Sequence, residues 1–336
     1  MNEPVNAWGV VRRLSWEDAQ RGVGVLVLAW VALAAVAQAS EPPIVEEGRA
    51  PANGIELYYQ ILGQGRPVVI LHGGPGMDHG YLLPGMAALA DTYQMIFYDQ
   101  RAVGRSSGST DEASLTVDNY VEDLEGLRKA RGLETITLLG HSWGGGLAMF
   151  YAIAHPDRVD ALILANSVGA TSEFWGPFRR TIEERLRPED RQAIEQINAS
   201  EAYRQRTPEA VMALARVYFS TYCYDRAVCG RLRLDYTERT AANGQEISKR
   251  LYDARLGFYD IRQQVSRLSC PALIIHGDTD PIPVDVAATL HRLLPHSTFV
   301  VLPHCGHFPY LEVPEEFFRQ VRAFLQQLPP STPSRK

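Results

Sequence analysis

The sequence has few cysteines and no concentration of basic charge, and these deficits argue against several classes of function. Four cysteines occur in 336 residues, and their spacing matches no metal-binding motif. The formal net charge is −6, and no basic cluster interleaved with aromatic residues is present. Binding to nucleic acid therefore has no support. The sequence also contains no internal repeat.

The cysteines leave one disulfide open and argue against another. Cys223 and Cys229 are either joined across a small loop, as an exported protein allows, or are two buried thiols. Cys270 precedes one predicted strand and Cys305 follows the next. In a parallel pair of strands they would lie at opposite ends, so we predict no bond between them.

No apolar run is long enough to read simply as a membrane span, which needs about 20 residues. The uncharged stretch at 22–37 follows three arginines, and small residues at Ala37 and Ala39 match a signal peptidase site. We therefore predict that residues 1–39 are a signal peptide and that the protein is exported, to the periplasm or beyond. The alternative is an uncleaved anchor, the one case that would attach the protein to a membrane.

The full sequence has the composition of a globular protein, with 46% hydrophobic and 21% charged residues. Short apolar runs such as 68–71 and 95–98 alternate with segments of helical spacing. Continuous apolar runs are typical of strands that are covered on both faces. The alternation therefore predicts an α/β fold, with a mostly parallel central sheet flanked by helices.

The alternation is interrupted between about residue 170 and residue 271. Most of that interval has helical spacing and is rich in charged and aromatic residues. We predict a catalytic domain formed by residues 40–169 and 253–328, with a helical cap inserted at 170–252. The tail at 329–336 is predicted to be loose.

A possible nucleophile lies at Ser142. The apolar run 137–139 leads into Gly-His-Ser-Trp-Gly at 140–144, and a helix-forming run follows. This strand, sharp turn and helix would lift the serine hydroxyl above the sheet edge, where a base can reach it. The motif alone is weak, because a serine in a glycine-rich turn is common. It gains meaning only if the chain also supplies a base, an acid and an oxyanion hole.

An acid and a base follow in the order that this kind of elbow requires, namely serine, acid, histidine. Asp280 lies just past a predicted buried strand, where ligands bind in open α/β sheets. We predict Asp280 as the acid, with Asp278 as the alternative. His307 follows the end of the next predicted strand and is our predicted base, with His304 as its local rival.

The oxyanion hole requires two backbone N–H groups directed at the developing charge. We expect one from Trp143, the residue after the nucleophile. The other is expected from Gly74, in the glycine-rich loop that follows the strand at 68–71. Aromatic residues of the cap would either line the substrate pocket or form the core of the cap: Phe174, Trp175, Phe178, Tyr218 and Tyr222.

Three motifs resemble those of the proline iminopeptidase family of α/β-hydrolases. They are His-Gly-Gly-Pro-Gly at 72–76, Asp-Gln-Arg-Ala-Val-Gly-Arg-Ser at 99–106 and Gly-His-Ser-Trp-Gly-Gly at 140–145. The resemblance spans about residues 54–325 and is weak across the insertion. It implies the α/β-hydrolase fold with a cap, removal of an amino-terminal residue, often proline, from short peptides, and no metal or organic cofactor.

Two departures from that family bear on the substrate. Ala102 stands where the family usually has glycine after Asp-Gln-Arg. In such enzymes, acids of the cap bind the free amine of the substrate, and Glu246 is the candidate here; the alternative is a surface glutamate. A second acid cannot be placed. The resemblance thus favours an aminopeptidase acting on small peptides, and a carboxylesterase or lactonase acting on small acyl substrates is the alternative.

Overall fold

The structure is a computed structural model that describes residues 44–329. The predicted signal peptide, residues 1–39, lies outside the described residues, and so does nearly all of the predicted loose tail. Within residues 44–329, no helix has the length and apolar character to cross a membrane.

An eight-stranded sheet forms the centre of the described residues. Its strands are β1 (Ile44–Ala52), β2 (Ile55–Leu62), β3 (Pro67–Leu71), β4 (Gln94–Tyr98), β5 (Ile136–His141), β6 (Val159–Ala165), β7 (Ala272–Gly277) and β8 (Ser297–Leu302). They lie in the order β1-β2-β4-β3-β5-β6-β7-β8. The β1–β2 and β2–β4 pairs are antiparallel and all other pairs are parallel. The predicted fold class is confirmed.

Helices cover both faces of the sheet and fill the insertion. They are α1 (Leu83–Met86), α2 (Val117–Ala130), α3 (Trp143–Ala154), α4 (Trp175–Arg185), α5 (Pro188–Ala199), α6 (Glu201–Arg204), α7 (Pro208–Phe219), α8 (Arg226–Cys229), α9 (Glu238–Leu251), α10 (Arg262–Val265), α11 (Val284–Leu293), α12 (Pro309–Glu312) and α13 (Pro314–Gln327). A π-helical turn, Tyr252–Leu256, continues α9.

The apolar strands divide their side chains between two cores, because successive residues of a strand point to opposite faces of the sheet. On β3, Val69 and Leu71 join the core that is shared with α2, α3 and α11. Val68 and Ile70 join the core on the other face, which is shared with α1 and α13. Burial on both faces explains why these strands are continuous apolar runs rather than alternating ones.

Helices α4–α9 lie between β6 and β7, in the interval predicted as the cap. The middle of helix α9 is bound to the loops of the sheet. The amide of Asn243 donates to the carbonyl of Ala102 at 2.8 Å. The backbones of Gly76 and Gly244 are in such close contact that a Cβ atom on either residue would overlap the other residue's backbone.

The cysteines adopt one of the two arrangements left open by the sequence. Cys223 and Cys229 form a disulfide within the insertion, between α7 and the end of α8. Cys270 and Cys305 are free thiols. The prediction that these two cysteines do not pair is confirmed.

Candidate active site

Ser142 occupies the sharp turn between β5 and α3. Its backbone has φ 57° and ψ −122°, a conformation that non-glycine residues rarely adopt. Three backbone hydrogen bonds hold it there: its N–H donates to the carbonyl of Ala165, and its carbonyl accepts from Gly145 and Val168. The turn is possible because Gly144 contacts the carbonyl of Leu71, where a side chain would overlap.

His307 and Asp280 form a buried hydrogen-bonded pair. Nδ1 of His307 lies 2.9 Å from Oδ2 and 3.1 Å from Oδ1 of Asp280. The carboxylate also accepts from the amide of Asn166 at 2.5 Å and from the N–H of Ile282 at 2.7 Å. Burial works to raise the pKa of Asp280, but the neighbouring imidazoles and these hydrogen bonds outweigh it and hold the pKa below its usual value.

Ser142 and His307 line the same cavity. Among residues 44–329, no hydrogen bond joins the hydroxyl of Ser142 to the imidazole of His307. Catalytic hydrogen bonds of this kind are often long without substrate and tighten when it binds. The arrangement thus brings the predicted nucleophile, base and acid to one site, with the acid already fixed on the base.

The two rival residues lie elsewhere. Asp278 accepts a hydrogen bond from the N–H of Cys305 at 3.1 Å, and so it connects the loops that follow β7 and β8. His304 is exposed and contacts the ring of Tyr224. Neither residue lines the cavity.

The loop that carries His307 is held by residues that the sequence did not single out. Glu312, on α12, accepts hydrogen bonds from the N–H groups on either side of the histidine, those of Gly306 and Phe308, both at 3.0 Å. The same carboxylate accepts from the N–H of Tyr224, in the insertion, at 2.7 Å. The N–H of His307 donates to the carbonyl of Tyr222 at 2.9 Å. The insertion therefore contacts the backbone of the base directly.

The predicted oxyanion residues differ in environment from their neighbour Gly73. The N–H of Gly73 donates to the hydroxyl of Tyr81 at 2.8 Å. No such partner occupies the N–H of Gly74 or Trp143 in the described part of the chain. Gly74 lines the cavity with φ 116°, a backbone conformation that favours glycine. Gly74 at the cavity and Trp143, which follows the serine in the chain, thus each keep a free N–H within the described residues, as the donors of an oxyanion hole must.

A hydrogen-bond chain connects the glycine loop to the base. The Tyr81 hydroxyl lies 2.7 Å from Nδ1 of His141, and Nε2 of His141 lies 2.7 Å from the carbonyl of His307. Burial, reinforced by the nearby His307, lowers the pKa of His141 to about 3. A neutral imidazole can accept at Nδ1 and donate at Nε2, which assigns both bonds.

The cavity beside Ser142 has a volume of about 290 Å³ and an apolar, largely aromatic wall. Four members of the predicted wall line it: Phe174, Trp175, Phe178 and Tyr222. Tyr218 does not. No aspartate, glutamate, lysine or arginine of the described chain is among the lining residues.

Glu246, the predicted amine-binding residue, is not brought to this cavity. It lies on α9, and its carboxylate pairs with Arg250 at 2.5 Å, one helical turn away. Its side chain is 45% exposed. The structure therefore places it among residues of a helix surface, the alternative that the sequence left open.

Three residues that support the site were not identified from the sequence, namely Asn166, Tyr81 and Glu312. Asn166 directly follows β6, so the rule that selected Asp280, a polar residue just past a buried strand, could have found it. Tyr81 and Glu312 carry no comparable signal, because their role depends on contacts between distant segments. Groups of three or more metal-ligating side chains are not found within residues 44–329.

Comparisons with known proteins agree with the fold. A family model described as "alpha/beta hydrolase fold" matches residues 66–314. The proline iminopeptidase of Saccharolobus solfataricus is 30% identical over 302 residues, which cover 84% of this chain and 93% of the relative. The solved proline iminopeptidase of Mycobacterium smegmatis has a TM-score of 0.63 at 26% identity, covering 84% of this chain and 98% of its own. A thermophilic esterase from Thermogutta terrifontis has a TM-score of 0.57 at 26% identity, covering 86% of this chain and 100% of its own.

Proposed function

The chain belongs to the α/β-hydrolase fold family, and from that premise we propose that it is a serine hydrolase that releases amino-terminal proline from short peptides. Its curated relatives carry the name proline iminopeptidase at about 30% identity. The observation that supports the proposal most strongly is the convergence of Ser142, the His307–Asp280 pair and the Gly74 loop on one small cavity.

In the first half of the reaction, Ser142 Oγ attacks the carbonyl carbon of the scissile bond. Nε2 of His307 takes the hydroxyl proton, because a serine hydroxyl is a poor nucleophile until a base removes its proton. The N–H groups of Gly74 and Trp143 stabilise the negative oxygen of the tetrahedral intermediate. His307 then gives its proton to the leaving nitrogen, the bond to that nitrogen breaks, and the acyl group stays on Ser142.

In the second half, water attacks the acyl-enzyme and His307 accepts a proton from that water. The ester bond to Ser142 breaks, and the proton returns to the serine oxygen. Asp280 keeps the imidazole in the required tautomer and stabilises its protonated form in both halves. The hydrogen bonds from Asn166 and Ile282 favour an ionised Asp280, which this role requires.

The cavity suits a compact apolar acyl group such as the pyrrolidine ring of proline. Its walls include the rings of Phe174, Trp175 and Phe178, and its volume is about 290 Å³. Among the residues of the insertion that line this cavity, Ser248 and Tyr222 carry hydroxyl groups. They are the groups through which the ring nitrogen of proline would be recognised.

One observation favours a second candidate, hydrolysis of esters or lactones with an uncharged acyl group. No carboxylate of the described residues lines the cavity, so nothing there offsets a protonated amine. A buried ammonium group is unfavourable without a partner. The likeness to the esterase from Thermogutta terrifontis is compatible with this alternative.

The two candidates are separated by substrates that differ only in the ring nitrogen. We would compare the p-nitroanilides of proline and of cyclopentanecarboxylic acid, together with the p-nitrophenyl esters of the same two acids. If the amine is recognised, kcat/KM for the proline compounds should be about 10- to 100-fold higher, since a hydrogen bond to a charged group contributes about 1.5–3 kcal/mol. Equal rates for the two rings would refute the aminopeptidase proposal and leave the esterase.

Two variants serve as controls. Ser142→Ala should remove turnover of all four compounds and labelling by a fluorophosphonate probe, and continued labelling would show that another serine reacts. Glu246→Gln tests the amine site directly. A loss confined to the proline compounds would assign the amine to Glu246, whereas unchanged rates mean that its carboxylate serves only the pair with Arg250.

A further inference from the structure

A second cavity adjoins the catalytic one. It has a volume of about 300 Å³ and shares Pro75, Trp175 and Ser248 with the catalytic cavity. We call it the outer cavity. Its other lining residues are Arg179, Gln245, Lys249, Tyr252 and Leu256. When the acyl part of a substrate fills the cavity at Ser142, the leaving group must extend beyond it, and the outer cavity is an adjoining space that shares three lining residues.

The outer cavity is lined by charges of one sign. Arg179 comes from α4 and Lys249 from α9, and no carboxylate is among the lining residues. Lys249 is already paired, since its ammonium group lies 2.7 Å from the carboxylate of Asp253. The uncompensated charge of this cavity is therefore that of Arg179.

Arg179 has no acidic partner in the described residues. Its guanidinium donates to the hydroxyl of Tyr252 at 3.3 Å and lies over the ring of that tyrosine, 5.4 Å from its centroid. Stacking on a ring restrains the planar guanidinium and leaves most of its N–H donors unoccupied. A planar group with paired donors is suited to a carboxylate, which it can bind through two hydrogen bonds.

We propose that the outer cavity binds an anionic leaving group, and that Arg179 contacts its carboxylate. The inference rests on the proposed acylation of Ser142. For a peptide substrate, the carboxylate would be the carboxyl terminus of the released product, which would limit the enzyme to short peptides. An acidic side chain of the product offers the same chemistry, so the test has to separate these two sources.

The turnover test compares Pro-Gly with its amide Pro-Gly-NH2, and Pro-Glu-NH2 with Pro-Gln-NH2. The first pair differs in the terminal carboxylate, and the second in a side-chain carboxylate. The wild type should prefer Pro-Gly to its amide about three- to tenfold in kcat/KM, mainly through KM, and Arg179→Gln should abolish the preference. The preference should also weaken at 0.5 M salt, because exposed charges are screened. If only the Pro-Glu-NH2 pair responds, the carboxylate is that of a side chain.

Arg180→Gln is the matched control. Arg180 is the next residue on α4 and is also exposed, but it lines neither cavity. Its replacement should leave every preference intact. An equal effect of both substitutions would mean that general charge, not a site, is responsible, and it would overturn the proposal.

A binding measurement keeps the inference testable if peptides are not cleaved. Saturation-transfer NMR on Ser142→Ala can compare Pro-Gly with Pro-Gly-NH2, with and without Arg179→Gln. In parallel, 4-carboxyphenyl and 4-carbamoylphenyl acetates test the same leaving-group site in an esterase. If peptides are not cleaved but binding or ester hydrolysis still shows a carboxylate preference that depends on Arg179, only the proposed peptidase function is overturned. Absence of that preference in all assays overturns the outer-cavity site.

Discussion

Replacing Tyr81 with phenylalanine should destabilise the protein because one hydroxyl serves two buried groups. It accepts from the N–H of Gly73 at 2.8 Å and contacts Nδ1 of His141 at 2.7 Å. Tyr81 itself is 3% exposed. A buried polar group left without a partner costs about 1–3 kcal/mol. Two such groups would cost about 2–6 kcal/mol in free energy of unfolding. Because the adjacent cavity can admit water, we expect a loss in the lower part of that range, about 2–4 kcal/mol.

Tyr120→Phe is the matched control, since it removes the same atom from a different environment. Tyr120 is 2% exposed, and its hydroxyl has no hydrogen-bond partner among residues 44–329. Its removal should leave stability unchanged or raise it slightly, because no bond is lost and a buried polar atom disappears. The two variants thus have different expected effects although both remove one tyrosine hydroxyl.

Equilibrium unfolding in urea gives the free energy of unfolding of both variants, provided that the slope of free energy against urea concentration is the same for both. Steady-state kinetics gives a second readout: Tyr81→Phe should lower kcat about tenfold, because the peptide next to Gly74 loses its anchor. A full loss of an oxyanion donor would cost more, about 100-fold or above. Equal free energies for the two variants, within about 0.5 kcal/mol, would refute the role assigned to the Tyr81 hydroxyl.

One further substitution tests the support of the site, and another tests how stability depends on pH. Glu312→Gln replaces a carboxylate that accepts three N–H groups by an amide that must turn its NH2 toward one of them. We therefore expect kcat to fall about tenfold and the pH profile of kcat to be displaced. The control Glu316→Gln, at an exposed ion pair, should change neither kcat nor the pH profile. Burial, together with Asp99, raises the pKa of Asp78 to about 6, so its stabilising contribution is complete below about pH 4 and is lost as pH rises through 6. Asp78→Asn should therefore gain stability relative to wild type between pH 4 and pH 7, by about 3 kcal/mol in urea unfolding; a constant difference across that range would contradict it.

The residues around Ser142 were predictable to the extent that a parallel sheet dictates their positions. Ser142, Asp280 and His307 each follow the carboxyl end of a strand, and these ends meet at one edge of the sheet. The order of short apolar runs along the chain was therefore enough to bring them together. Support by Tyr81 and Glu312 could not be predicted this way, because hydrogen bonds to backbone groups leave no periodic pattern in the sequence.

The insertion was harder to interpret, for a reason that Glu246 illustrates. Apolar spacing on α9 identifies its buried face, with Ile247 and Leu251 fully buried, but it does not say which loop that face contacts. Glu246 pairs with Arg250 four residues away, an interaction that any helix permits. Family resemblance suggested a position for the amine site, and the orientation of the helix directs that side chain elsewhere.

The contact between Gly76 and Gly244 constrains how this enzyme can be re-engineered. One glycine belongs to the loop beside Ser142 and the other to α9, and each position excludes a Cβ atom because of the other's backbone. Any library that diversifies α9 to change substrate preference has to keep glycine at both positions, or the helix must move away from the loop. A cap transplanted from another hydrolase would need its own glycine at the equivalent contact. Because the two backbones are in contact, a displacement of α9 that alters specificity would also displace the loop beside Ser142.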